Sequence, residues 1–215
     1  MANEDGVATR GRVRRTTVVG ERIWAAFGEF KAGITGRKGE SAVAGAVARL
    51  GFPALHDALL ADVFGVTQID HLVCAADAIL VIETKTYSGH ITGTRHSAEW
   101  MQHLAGGETR HLFQNPVHQN HRHCRAVRAA LSGLDVPIAG HVVSAGAATF
   151  CPELASAVVP LARLPELFHA AWPLFRDAAT LERTWQRLVV AVAAAEPRRE
   201  EHREAMRRRR EAAAA

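Results

Sequence analysis

Cysteine is scarce: three residues in 215, at Cys74, Cys124 and Cys151. An odd number, wide separation and no C-x-x-C pair exclude a disulfide framework and predict a reducing compartment. Long apolar runs are missing too, since none approaches the roughly 18 residues that span a bilayer. The opening stretch sets Glu4 and Asp5 before Arg10, Arg12, Arg14 and Arg15, and so lacks the apolar centre of a secretory signal. These absences predict a cytoplasmic protein with no membrane partner. No internal repeat is visible. At 48% hydrophobic and 22% charged, the chain has material for one sizeable core with extensions.

The formal net charge of +4 is unevenly placed. Residues 21–195 carry 15 Lys plus Arg and 15 Asp plus Glu, a formally neutral body. The surplus lies in the first 20 residues, where four arginines face two acids, and from Glu196 onward, where seven arginines including Arg207 to Arg210 face five acids. Tails of this composition bind polyanions by releasing counterions, or are simply solvated; both readings stand. Within the body, Arg122, Arg125 and Arg128 recur every third residue on a predicted helix. That spacing fits a nucleic-acid-binding stripe and equally fits an exposed helix face. Histidine is abundant, at 12, and His118, His121, His123 and Cys124 cluster. On a helix His121 and His123 point apart, and no fourth ligand is evident, so a structural zinc is not expected.

The stretch from Gln68 to Lys85 carries the chemistry. Ala78 to Ile82 is continuously apolar and rich in β-branched residues, which predicts a strand buried on both faces. Gln68 to Cys74 mixes polar and apolar residues as a neighbouring strand does, with Ala75-Ala76-Asp77 at the reversal. A turn symmetric about the Ala76–Asp77 bond sets Asp70 opposite Glu83, with Cβ atoms roughly 4.5 to 5.5 Å apart on one face. Lys85, two residues on, shares that face. Two carboxylates so close repel unless one is protonated or a cation bridges them. A hard divalent ion such as Mg²⁺ suits oxygen ligands of this kind. A slip of one residue sends Asp70 to the other face, and a surface hairpin with a Glu/Lys pair is the competing reading.

These residues resemble the nuclease-related domain (NERD) family, a branch of the PD-(D/E)XK nuclease superfamily. Gly39-Glu40 at the first helix, Gln68-Ile69-Asp70-His71, Ile82-Glu83-Thr84-Lys85, Tyr87-Ser88-Gly89, Trp100 and Asn115-Pro116-Val117-His118-Gln119-Asn120 follow in the family's order from Lys38 to beyond Leu131. Ala78 and Thr86 depart from it, where glycine and asparagine are usual. The resemblance implies a restriction-endonuclease-like α/β fold, a mixed sheet flanked by helices. It also implies a Mg²⁺- or Mn²⁺-dependent nuclease acting on nucleic acid, most simply DNA, with a catalytically inactive nucleic-acid-binding or regulatory module as the alternative. Carried over by residue, it makes Asp70 and Glu83 metal ligands with Glu40 as a third acidic contributor, Lys85 the active-site lysine, and Gln119 a polar residue reaching the site. Glu40 also fits as favourable charge in a first helical turn, and Gln119 as ordinary helix surface. Gln119 and His123, four apart on one helix face, are similar to the glutamine–tyrosine pair of recombination-type nucleases, with histidine replacing tyrosine.

The predicted organisation is a flexible basic arm over 1–20, a nuclease-like domain over 21–150 with a helical lead-in from Glu21 to Phe30, a helical extension over 151–195 packed on it, and a charged tail over 196–215. A helix is expected from Glu40 to Leu50, strands at Leu55–Leu60, Gln68–Cys74, Ala78–Thr84 and His90–Gly93, and a loop at Gly106-Gly107. A helix opened by Pro116 and ended near Gly133 precedes a strand over Ile138–Val143, parallel to the central one because a helix intervenes. The stripe Leu181, Trp185, Leu188, Val189 and Val192 has helical spacing and predicts packing. A homodimer is left open.

Overall fold

The computed structural model describes residues 36–168 and 177–213. The arm over 1–20 and the lead-in helix expected at Glu21 to Phe30 lie outside the described residues. In chain order come a helix over 36–50 (α1) and the strands Ala54–Asp62 (β1), Gly65–Cys74 (β2), Ile79–Lys85 (β3), His90–Thr92 (β4), Glu99–Leu104 (β5) and Thr109–Gln114 (β6). The helix Pro116–Ala130 (α2), the strands Ile138–Ser144 (β7), Thr149–Phe150 (β8) and Val158–Pro160 (β9), and the helices Ala178–Ala195 (α3) and Arg199–Ala213 (α4) follow.

The apolar run of β3 becomes the centre of a five-stranded sheet of order β1-β2-β3-β7-β9 and is buried from Ile79 to Thr84. β1, β2 and β3 are antiparallel neighbours, whereas β7 joins β3, and β9 joins β7, in parallel. Such a parallel join needs a crossover, and α2 lies within it. A second sheet, β6-β5-β4-β8, is also mixed, with β4 and β8 parallel. The result is a mixed α/β architecture with helices flanking the sheets, consistent with a restriction-endonuclease-like fold. Gly106-Gly107 lie in the connection between β5 and β6, as expected of a loop, but the hairpin these two strands form around it was not expected. Its second strand is almost wholly exposed, so no apolar pattern announces it.

Burial divides over two faces of the large sheet. On one, Ile69, Leu72, Ile79 and Val81 meet Val127 of α2 and Leu181, Trp185 and Leu188 of α3. The stripe expected to be packing is packed there. On the other, Val43 and Val47 of α1 meet Val73, Leu80, Ile82 and Val143. A third cluster around Ile91, Trp100, Val142 and Leu154 joins the two sheets. Among the described residues, no helix is long and apolar enough to cross a membrane.

Two close approaches fix the helices that bring polar groups to the sheet. α2 is capped by Asn115, whose carboxamide oxygen accepts from the Val117 amide while its nitrogen donates to Ser97 O and Arg95 O. Further along, Asn120 donates to Val81 O and His141 O, both at 3.0 Å, so one side chain ties α2 to two strands. α1 touches the end of β3 through Gly39, where a Cβ would stand 2.1 Å from Thr86 Cγ2 and 3.3 Å from Ala145 Cβ. The next residue, Glu40, shares the inward stripe with Val43 and Val47 and is half-buried. Its place therefore depends on how closely Gly39 sits. Gly39→Ala should lower stability by about 1–3 kcal/mol, the usual cost of overpacking, and the added Thr86→Ser change should recover much of it in a denaturant-unfolding double-mutant cycle. Additive losses refute the contact.

Candidate active site

The ladder between β2 and β3 pairs His71 with Ile82, Leu72 with Val81, Val73 with Leu80 and Cys74 with Ile79. One step beyond, this register sets Asp70 across from Glu83, as the symmetric turn requires. Pairing stops there because Asp70 Oδ2 accepts the Thr84 amide at 2.7 Å. On the back of the same strands His71 Nε2 lies 3.1 Å from Thr84 Oγ1, and His71 Nδ1 lies 2.7 Å from His56 Nδ1. Thr84 thus holds both neighbours of the site, one through its amide and one through its hydroxyl.

Strict alternation fails at this point. Ile69 and Leu72 of β2 fall in the same core although an odd number of positions separates them, and so do Leu55 and Ala58 of β1. The phase changes at Asp70 and, across the β1–β2 ladder, at Asp57, which stands between the pairs His56–His71 and Ala58–Ile69. Asp57 has φ of 53°, a left-handed conformation in which Asp is among the more tolerant residues. The kink turns its carboxylate outward, where it accepts from Gln68 Nε2 at 2.5 Å and pairs with Arg199 at 2.9 Å.

Glu83 lies at the bottom of the site, 2% exposed. Its Oε1 receives Lys85 Nζ at 2.6 Å and its Oε2 receives His123 Nε2 at 3.1 Å. Lys85 Nζ also donates to Gln119 Oε1 at 3.1 Å, and His123 Nδ1 is 2.9 Å from Thr67 Oγ1. The polar chain therefore runs Gln119, Lys85, Glu83, His123, Thr67, through α2, β3 and β2. The shared face of Gln119 and His123 on α2 is the one turned to β3.

The charges respond to this crowding. Burial alone raises the Glu83 carboxyl, but the His123 hydrogen bond and the Lys85 ammonium outweigh it and hold the group below its ordinary value. Burial opposes the Lys85 ammonium, yet the pull of Glu83 keeps its pKa raised. Asp70 lacks such help: burial and the negative charge of Glu83 push it up to about 7, against the Thr84 amide and Lys85. Glu40 is raised by burial and then by Asp57 and Glu83. Glu40, Asp70 and Glu83 thus outnumber the one ammonium among them, Lys85, while Asp57 has Arg199.

Asp70, Glu83, Lys85 and Gln119 are thus brought together, with Glu40 at the margin. Among the described residues no group of three or more His, Cys, Asp or Glu side chains is close enough to form a ready-made metal cage. The oxygens present are nevertheless hard, anionic donors of the type Mg²⁺ and Mn²⁺ prefer, and Asp70 Oδ1 receives no hydrogen bond from the described residues. The donor set fits such an ion once Lys85 yields its hold on Glu83. The expected arginine stripe splays instead of running along one line. Arg125 stacks over Phe64 at 5.1 Å and Arg128 donates to Ile138 O at 3.4 Å, on different neighbours, while Arg122 is partly exposed. His118 and His121 are exposed and His123 is buried, so the histidine cluster is dispersed. His123 and Thr67, which extend the hydrogen bonds of Glu83, and Asp57, which bears on Glu40, were given no role from the sequence, although His123 was set on one helix face with Gln119. An acid inside the apolar segment Ala-Leu-His-Asp-Ala-Leu-Leu was the available signal for Asp57; Arg199, 142 positions away, gave none.

Comparison with known proteins bears on this arrangement. An uncharacterized protein of Bacillus anthracis is 36% identical over 96 residues, which span 43% of this chain and 44% of the relative. The match covers less than half of that protein's length. The family model described as nuclease-related domain matches residues 35–145, just over half of the chain and every residue from Glu40 to Gln119 discussed above. On that match the chain belongs to the nuclease-related domain family.

Proposed function

We propose that the protein is a metal-dependent nuclease that hydrolyses phosphodiester bonds, most simply those of DNA. One observation carries the reading: a β2–β3 register that opposes Asp70 to a fully buried Glu83, with Lys85 Nζ 2.6 Å from that carboxylate. Asp70 and Glu83, joined by Glu40, are the residues that would hold a Mg²⁺ or Mn²⁺ ion. Bound there, such an ion lowers the pKa of a coordinated water and counters charge on the phosphoryl oxygen. The chain's own groups do the rest. The Thr84 amide fixes the Asp70 carboxylate, and His123, backed by Thr67, fixes Glu83. Lys85 presents an ammonium where negative charge develops on the phosphate, and Gln119 steers it. One observation favours the competing reading of a non-catalytic nucleic-acid-binding module: both oxygens of Glu83 already have protein donors.

The deciding assay incubates purified protein with linear and circular DNA, single-stranded DNA and RNA. Cleavage is expected with Mg²⁺ or Mn²⁺, lost on EDTA treatment and restored by either ion. Asp70→Ala should abolish it, and Lys85→Ala should lower turnover about 10²- to 10³-fold, the scale of removing one preorganised charge-stabilising donor. Full activity in Lys85→Ala refutes the role of the ammonium, and metal-independent binding with no cleavage of any substrate establishes the module instead.

His123 acts through Glu83 and is a positioning residue. His123→Ala should weaken Mn²⁺ binding, measured by titration calorimetry, about 10- to 100-fold, as loss of a ligand's hydrogen-bond partner does. His123→Gln, which keeps a donor, should recover part of that loss. An unchanged dissociation constant for Mn²⁺ in His123→Ala removes His123 from the site.

A further inference from the structure

A second concavity lies beside these carboxylates. A cleft of about 330 Å³ opens between α2 and the β7–β9 edge of the large sheet, a size at the lower end of small-molecule sites. It adjoins the candidate active site through both of its walls. Val142 on its sheet side pairs with Glu83 in the β3–β7 ladder, and Asn120 on its helix side follows Gln119 in α2.

Three features give the cleft a chemical character. Its exposed rim carries Arg95, His121 and Arg128, and none of its lining residues is acidic, which suits an anionic group. Val117, Val142 and Val159 give it apolar walls. The third feature is a polar atom without a partner. Asn120 is 3% exposed, and both hydrogens of its amide are committed to Val81 O and His141 O. That assignment cannot be reversed, since a flipped amide would press oxygen against two carbonyls. Asn120 Oδ1 is therefore a fixed acceptor, buried and without a hydrogen-bond partner among the described residues, in a residue that lines the cleft. Buried acceptors in native proteins are nearly always satisfied, so this one points to a donor that arrives from outside. Gly140 lets α2 pack closely on β7 at this point, because a Cβ there would stand 2.7 Å from Cys124 Sγ and 3.2 Å from Asn120 Nδ2.

We propose that this cleft binds one nucleotide unit, its base among Val117, Val142 and Val159 with an edge N–H donating to Asn120 Oδ1, and its phosphate against Arg95, His121 and Arg128. A flat, apolar-faced ring with edge donors and an attached anionic phosphate answers all three features; inorganic phosphate answers one. The choice of ligand rests on the nuclease reading, and the cleft deepens it by naming where a unit of substrate is held beside the reacting phosphodiester.

The test is titration calorimetry on the full chain in EDTA, so that no cleavage intervenes. The probes are the four deoxynucleoside 5′-monophosphates, inorganic phosphate and a single-stranded tetranucleotide. At least one nucleotide should bind. Arg95→Glu combined with Arg128→Glu should weaken it by about tenfold or more, with an unchanged melting temperature. Ser156→Trp, an exposed lining position, should plug the cleft and do the same without altering charge. Asp70→Ala should leave nucleotide affinity intact. A tetranucleotide binding more tightly than any monophosphate marks a strand subsite, and the reverse marks a free-nucleotide site; both sustain the proposal. Phosphate binding as tightly as nucleotide, no nucleotide binding, or binding lost in Asp70→Ala but kept in the arginine variants overturns it. A protein that cleaves DNA with metal but fails this titration loses the cleft alone, whereas one that binds nucleotide and never cleaves loses the nuclease reading alone.

Discussion

A carboxylate buried at the bottom of a mixed sheet is the constraint around which the rest is arranged. Glu83 is almost wholly removed from water, and an isolated ionised carboxyl in such a place is costly by several kcal/mol. Two donors from different parts of the chain answer it: Lys85 from its own strand and His123 from α2. Replacing such a triad with apolar side chains would on general grounds be neutral or stabilising, whereas removing one partner leaves an uncompensated charge. Stability alone therefore gives no reason for the arrangement. Its cost is accepted by a fold whose helix α2 is also tied down by Asn120 and capped by Asn115, so that His123 and Gln119 arrive at β3 already positioned.

The same site contains a carboxyl in the opposite condition. Asp70 has one strong donor, the Thr84 amide, and faces Glu83 across the ladder. With burial and like charge acting together its pKa moves to about 7. Adjacent acids thus differ because of what surrounds them, not because of what they are. The contrast is set by register. Had β2 slipped by one residue, Asp70 would face the core on the other side of the sheet, around Leu80 and Ile82, and His71 would take its place beside Glu83. Thr84 opposes that slip twice, with its amide on Asp70 and its hydroxyl on His71.

Much of this was legible in the sequence because the informative residues are local. A continuous apolar run, a short reversal and a chain of alternating residues before it specify β2 and β3, and a symmetric turn then leaves one register. β7, parallel to β3, followed from the helix between them, and α3 from its apolar stripe. What was not legible is non-local or without pattern. β6 is exposed along nearly its whole length, so nothing apolar marked it as a strand. The phase change at Asp57 and Asp70 depends on a left-handed backbone that Asp permits without requiring. The regular spacing of Arg122, Arg125 and Arg128 suggested one stripe, but steps of three advance by 300°, and Phe64 and Ile138 drew the second and third to different neighbours. The bond from Arg199 to Asp57 joins positions that share no periodicity at all.

The neutral side chain at position 119 follows from the charge balance. Lys85 Nζ lies between Glu83 Oε1 and Gln119 Oε1, at 2.6 and 3.1 Å. A glutamate at 119 would accept from Lys85 equally well, but it would add a negative charge to a pocket that already holds Glu40, Asp70 and Glu83. Asp70 and Glu40, whose carboxyls are already raised by burial and then by like charge, would be driven further toward the protonated form, which cannot hold a cation. The carboxylate would also compete with Glu83 for the ammonium and fix it away from the opposed acids. An amide supplies the geometry without the charge: it steers the ammonium by a neutral hydrogen bond, weaker than the ion pair it competes with, and leaves Lys85 free to shift toward whatever negative charge develops in front of it.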